Sequence, residues 1–236
     1  IKFYYELTWI GKNMNLTLIY FDFPFWRAEV ARLALYLGDI EFEDLRITRE
    51  EFQRVKRHGK LDNGTRIPFH QFPVLIIDGT SIAQTGGIAR FCGKLSGLYS
   101  NNDDLLAAQI DQFIDMATDL TFLISTTTRI EDSEIKRNMR KDLLDGELKR
   151  KLGMLETNLN SDSNWVLEAK VGITIADIAI WRLMGWFSGG MLDGMPTTLL
   201  NDFPKIKRVC QSVDSHPKIQ KWVRKTYPEN YQRGNF

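Results

Sequence analysis

Every convincing strand signal in this chain lies in its first hundred residues, and from about Asn102 onward only helical patterns remain. A chain with that division builds a small mixed α/β unit first and an all-helical unit after it. Residues 15–21 are rich in β-branched and aromatic side chains and read as a buried strand. A turn containing Pro24 leads into residues 29–37, where Val30, Leu33, Ala34 and Leu37 recur at helical spacing and Gly38 closes the segment. Residues 41–47 read as a second strand, 49–56 as a short charged helix, and 58–68 as a polar loop with an Asn63-Gly64 turn. A hairpin over 72–83, tight at Asp78-Gly79, and a helix over 87–95 complete an order of βαβ followed by αββα.

Downstream, residues 105–127 and 135–159 carry long helical patterns, and 174–185, 203–214 and 217–226 shorter ones. These rhythms divide the chain into five parts. Residues 1–14 are expected to be an extension outside the core, or an artefact ahead of it. Residues 15–98 form the α/β domain, 99–103 a polar linker, 104–228 the helical domain and 229–236 a tail.

Composition narrows the functional classes. Over 236 residues, 31 Lys and Arg stand against 30 Asp and Glu, which supplies no global field to hold nucleic acid. Two cysteines, Cys92 and Cys210, are too few for a disulfide framework or a four-ligand zinc site, and the three histidines show no metal-ligand spacing, so no metal is expected. No stretch reaches the ~20 apolar residues of a membrane span. With no leader pattern over the first residues, the expected compartment is the cytoplasm.

Four motifs follow one another along the chain. They are Leu18-Ile19-Tyr20-Phe21 with Arg27-Ala28-Glu29; Phe69-His70-Gln71-Phe72-Pro73-Val74-Leu75; Ile82-Ala83-Gln84-Thr85 with Ile88-Ala89-Arg90; and Gly172-Ile173-Thr174-Ile175-Ala176-Asp177. In this order and spacing the chain resembles the cytosolic glutathione transferases, most closely their sigma-like, tyrosine-dependent branch, over residues 15–228. The resemblance implies a thioredoxin-like βαβαββα domain followed by a helical bundle. It also implies glutathione as co-substrate, a hydrophobic small molecule as second substrate, and a homodimer.

Read by pattern alone, Pro73 marks an edge strand or a turn; the resemblance implies a cis-proline that frees the Phe72 main chain for the cysteinyl backbone of glutathione. Thr85 reads as a helix N-cap. The resemblance adds anion capture, with Gln84 and Thr85 meeting the γ-glutamyl carboxylate. It makes Tyr20 the donor that holds the glutathione sulfur as a thiolate, and Arg27 its electrostatic support, where pattern alone offers a core tyrosine and a surface ion pair. It places Phe52, Lys56, Gln71, Phe72 and Pro73 along the tripeptide. The 56–68 loop is longer than sigma-like proteins lead one to expect, and Phe52 lacks the indole N–H of the tryptophan it replaces.

Asp111, Asp115 and Asp119 repeat every four residues, a solvated or interfacial stripe, and Asp119 is implied to reach a partner's bound glutathione. Phe23-Pro24-Phe25-Trp26 is bulkier and longer than the family turn, and His70 replaces a small residue. Phe23, Phe25 and Trp26, with Phe122, Leu123 and Trp186, are the expected hydrophobic pocket. Conjugation, peroxide reduction and double-bond isomerisation all use the same thiolate. The alternative is a non-catalytic scaffold subunit or ligand carrier on the same fold. Thr174-Ile175-Ala176-Asp177 reads as a capping box, a folding element rather than a catalyst.

Overall fold

A computed structural model describes residues 14–236, so all of the expected N-terminal extension but Met14 falls outside the described residues. Strands β1 (Leu16–Phe21), β2 (Glu43–Ile47), β3 (Val74–Ile77) and β4 (Thr80–Ala83) form one sheet in the order β2-β1-β3-β4. β1 and β2 run parallel, and the other pairs antiparallel. Parallel neighbours need a long crossover, which α1 (Trp26–Leu37) supplies. β3 and β4 are joined through Asp78 and Gly79, both at positive φ (47° and 85°), the twist a two-residue hairpin requires. With α2 (Arg49–His58), a 3-10 turn (Pro68–His70) and α3 (Thr85–Ser96), the unit is the expected thioredoxin-like βαβαββα domain. β3 lies inside the sheet and begins after Pro73, which replaces the edge-strand reading.

Six further α-helices follow among the described residues: α4 (Asp104–Ser125), α5 (Ser133–Asp145), α6 (Glu147–Asn158), α7 (Ile175–Ser188), α8 (Pro204–Ser215) and α9 (Pro217–Thr226). The pattern that reads as one helix over 135–159 is two. Gly146 separates them at φ −125° and ψ −112°, outside the helical region. α1 begins three residues before its apolar stripe suggests, because Trp26 and Ala28 are themselves buried. It packs on α3 to one side and α7 to the other, so it is enclosed all round and a one-faced stripe underdescribes it. One apolar core therefore runs through both domains, and a smaller one (Ile19, Ile47, Val55, Ile67, Val74) lies beneath α2.

α7 is the axis of the helical domain, buried from Ile175 to Gly185. Its start is secured by Asp177, whose carboxylate accepts from Thr174 N (2.8 Å), Thr174 Oγ1 (2.7 Å) and, across the loop, Val166 N (2.6 Å). The capping box is present, extended to a second stretch of chain. Removing this carboxylate strands two buried N–H donors. Asp177→Ala is expected to lower unfolding free energy by about 2–4 kcal/mol in urea titrations. Burial pushes this carboxyl up to about 6. A raised carboxyl contributes stability that is complete below pH ~4 and is lost as pH rises through ~6. The stability of wild type relative to Asp177→Asn should accordingly shrink between pH 4.5 and 7.

Candidate active site

Tyr20 stands near the end of β1, in register with Arg46 of β2, and is 6% exposed. Burial pushes its hydroxyl up to about 12, against the opposing pull of the Arg27 and Arg32 guanidiniums. At neutral pH it is a phenol, a hydrogen-bond donor rather than a base. No hydrogen bond among the described residues engages that hydroxyl. Arg27, in the first turn of α1, lies 5.4 Å over the Trp26 ring, and burial lowers its pKa. Among the described residues no carboxylate pairs with it, so the surface ion pair that its sequence context suggests is absent.

Beneath Tyr20 lies Arg32, fully buried, with its guanidinium 5.9 Å from the Tyr20 ring centre. It donates to Phe21 O and Phe23 O (3.3 Å each), to Glu29 (3.2 Å) and to Asp44 (3.0 Å), fixing the turn that leaves β1. Arg32 escaped the sequence reading, although a charge inside the apolar run of residues 28–35 was the available signal.

The Phe72–Pro73 peptide bond is cis, and Pro73 is buried. No hydrogen bond among the described residues uses the Phe72 N–H or C=O. The Phe72 ring meets Phe52 (5.9 Å) and Phe21 (6.3 Å), and Lys56 Nζ lies 4.7 Å over the Phe52 ring. Phe52, Lys56 and Phe72 thus share one wall beside the end of β1, with Gln71 exposed next to them. His70 folds back over Gly59 and makes a 3.2 Å hydrogen bond to Lys56 O. Thr85 is the first residue of α3 and is buried, so it is not the cap. Gln84 holds the cap position at φ 72°, its side chain exposed and making no capping bond. A left-handed glutamine at a helix start is strained, and such strain gathers at functional positions.

The aromatic turn is divided. Phe23 and Phe25 stack at 5.9 Å, and Phe25 meets Trp186 edge-on at 4.9 Å, bringing three of the expected pocket residues together. Trp26 does not join them. It is fully buried and donates from Nε1 to Thr121 Oγ1 (2.7 Å), a tie between α1 and α4. Phe122 is also misplaced by the sequence reading, standing 69% exposed on α4 with no aromatic contact to the cluster, while Leu123 beside it is half-buried. Asp119 is exposed and pairs with Lys151 (2.9 Å) in its own chain.

Residues 16–93 match the family "Glutathione S-transferase, N-terminal domain", and residues 118–226 "Glutathione S-transferase, C-terminal domain". Glutathione S-transferase 2 of Caenorhabditis elegans is 32% identical over 158 residues, covering 65% of this chain and 75% of that protein. The chain belongs to the glutathione S-transferase family. Among solved structures, prostaglandin synthase D of Nilaparvata lugens superposes with a TM-score of 0.74 at 26% identity, covering 91% of this chain and 98% of the other. Na-GST-3 of the hookworm Necator americanus, described as monomeric, gives 0.71 at 27% identity, covering 92% and 98%. The protein is thus an enzyme, a glutathione transferase, of the α/β plus all-α architecture.

Two parts of this transferase lay beyond the sequence reading. Arg182 of α7 is fully buried and donates from Nε and Nη2 to Pro24 O (3.2 and 3.0 Å), pinning the aromatic turn to the helical domain. Its other bonds hold the tail, through Arg233 O (2.9 Å) and the Tyr231 hydroxyl (3.0 Å), and Tyr231 packs on Phe23 at 6.2 Å. Residues 229–236 are therefore docked along α7, with Asn235 N donating to Ser188 Oγ (3.0 Å). Among the described residues no helix is long and apolar enough to cross a membrane.

The docking depends on Gly185. A Cβ there would meet Arg233 O at 2.0 Å, backbone that cannot swing aside. Gly185→Ala should release the tail and expose Arg233 to limited trypsin cleavage several-fold faster than in wild type, while the helical content measured by circular dichroism is retained.

Proposed function

We propose that this transferase binds glutathione across Phe72, Gln84 and Thr85, activates its sulfur through Tyr20 in the manner of the sigma-like branch, and conjugates it to hydrophobic electrophiles. The observation that carries this reading is the pair at the end of β1. A phenol held protonated by burial, its hydroxyl engaged by no group among the described residues, stands beside a guanidinium that meets no carboxylate there. A thiolate satisfies both: it accepts the hydroxyl's hydrogen bond and faces the Arg27 charge, and each effect favours its ionised form.

The neighbouring groups suit the rest of the tripeptide. Phe72 offers an open N–H and C=O for a short stretch of backbone pairing. The N-terminus of α3, with Gln84 beside it, suits the γ-glutamyl carboxylate. Lys56, stacked on Phe52, serves the glycyl carboxylate, and Gln71 and Pro73 border the same strip. Phe23, Phe25 and Trp186, with Leu123 on the helical side, accommodate an apolar second substrate. Likeness to a prostaglandin synthase supports isomerisation as a further use of the thiolate. Both cysteines are free and buried, which suits a reducing cytoplasm.

Tyr20→Phe removes the hydroxyl at almost constant volume. Losing a charge-assisted hydrogen bond of roughly 1.5–3 kcal/mol should raise the bound thiol's pKa by about one to two units. Turnover near neutral pH should fall about ten- to hundred-fold and recover as pH rises. The ultraviolet absorbance of the bound thiolate reports the shift, and a variant with unchanged titration and rate would assign activation to another residue.

The same reading includes a homodimer. Phe69, at φ 56°, and Phe122 are each 69% exposed, apolar side chains open to a second subunit. Asp111, Asp115 and Asp119 of α4 are already engaged within the chain: Arg90 binds Asp111 (2.6 Å) and Asp115 (3.2 Å), and Lys151 binds Asp119. Apolar contacts therefore carry the association, and Asp119 would have to leave Lys151 to meet a partner's glutathione. Light scattering is expected to give about twice 27.3 kDa. Phe69→Ser should shift the population toward monomer. A wild-type monomer at micromolar concentration, as its hookworm relative is described, would defeat this part of the reading.

A further inference from the structure

We propose that the cleft at the start of β1 and β2 binds an amphipathic organic cation, an aromatic or alkyl ammonium, at a site separate from Tyr20. The cleft has a volume of about 840 Å³, within the ~300–1,000 Å³ of small-molecule sites. It is lined by Thr17 at the opposite end of β1 from Tyr20, and three residue steps along the strand separate the two by roughly 10 Å. Its walls come from both domains, with β1, β2 and the end of α1 on one side and α9 on the other. Only the assembled two-domain chain forms it.

The chemistry of the walls selects the ligand. Three aromatic rings converge there: Trp222 lies 4.9 Å from Tyr36 and 6.5 Å from Phe42. Such rings offer apolar surface together with the negative face that attracts an ammonium. Glu41 and Glu43 are exposed beside them, and Glu43 Oε2 is oriented by the Thr17 hydroxyl (2.9 Å). Among the described residues no Lys or Arg pairs with either glutamate. Asp44 also lines the cleft, but Arg32 and Arg46 already meet its charge. Lys225, across the cleft on α9, is the single cationic side chain lining it among the described residues, so a ligand's charge belongs on the β2 side. An anion would face two uncompensated carboxylates, and a neutral molecule would leave them unused.

Calorimetry on the full chain at pH 7.5 and low salt tests this with (2-naphthylmethyl)trimethylammonium and its neutral counterpart 2-naphthalenemethanol. The cation is expected to saturate with a Kd below about 1 mM and to bind about ten-fold more tightly than the alcohol. The double variant Glu41→Gln/Glu43→Gln should lose about that ten-fold while keeping the wild-type melting temperature and conjugation rate. Phe42→Ala should weaken cation and alcohol alike. Saturating S-hexylglutathione should leave the cation's affinity unchanged. Absence of saturation at millimolar cation, equal affinity for the alcohol, or displacement by S-hexylglutathione would each overturn the proposal. Displacement would place the cation in the Tyr20 region and leave the reading of that region standing.

Discussion

Glu29 is the charge around which the two domains are assembled. It is 1% exposed on α1, and its carboxylate is divided between Arg32 of the same helix (3.2 Å) and the indole N–H of Trp222 on α9 (2.5 Å). An ionised carboxylate taken out of water costs several kcal/mol unless its oxygens are met, so burial here commits both partners to fixed positions. Arg32 in turn spends its remaining donors on Phe21 O, Phe23 O and Asp44. The turn after Tyr20, the first crossover helix and the last helix of the chain are thus parts of one hydrogen-bonded unit.

That unit explains how Tyr20 comes to be buried yet unspent. β1 carries it to the strand's end, and Arg32 underlies its ring. Arg182 holds Pro24 from the helical domain, so the aromatic turn cannot collapse over the strand. Arg32, buried, and Arg27, half-buried, supply positive charge close to the phenol without hydrogen-bonding to it. The hydroxyl stays protonated through desolvation, and the surrounding charge suits an anion. In the proposed mechanism these are the two properties that stabilise a thiolate.

The tail shows the same economy at the other face of the turn. Tyr231 packs on Phe23, and its hydroxyl meets the Arg182 that also holds Pro24. A single guanidinium therefore couples the aromatic turn, α7 and the last residues of the chain. Any apolar substrate held between Phe23, Phe25 and Trp186 would feel displacement of that tail through Phe23.

What the chain's own pattern determined was local. The alternation of strands and helices, the break near Asn102, the Asp177 capping box and the hairpin at Asp78-Gly79 depend on neighbours within a few residues, and periodicity and turn chemistry report such neighbours directly. The assignment of Tyr20, Phe72 and Gln84 to one region came from motif order, a resemblance rather than a derivation. Tertiary structure decided the rest. Trp26 reads as a pocket residue until α4 brings Thr121 to its N–H, and Phe122 reads as another until the roll of α4 turns it to solvent. Gly146 divides what reads as one helix, because a smooth helical period runs across it. Arg32, Glu29 and Arg182 sit in apolar runs where sequence marks only an anomaly. Their partners lie up to 193 residues away, as with Glu29 and Trp222, and no local pattern can name a partner that only the packing of two domains brings within reach.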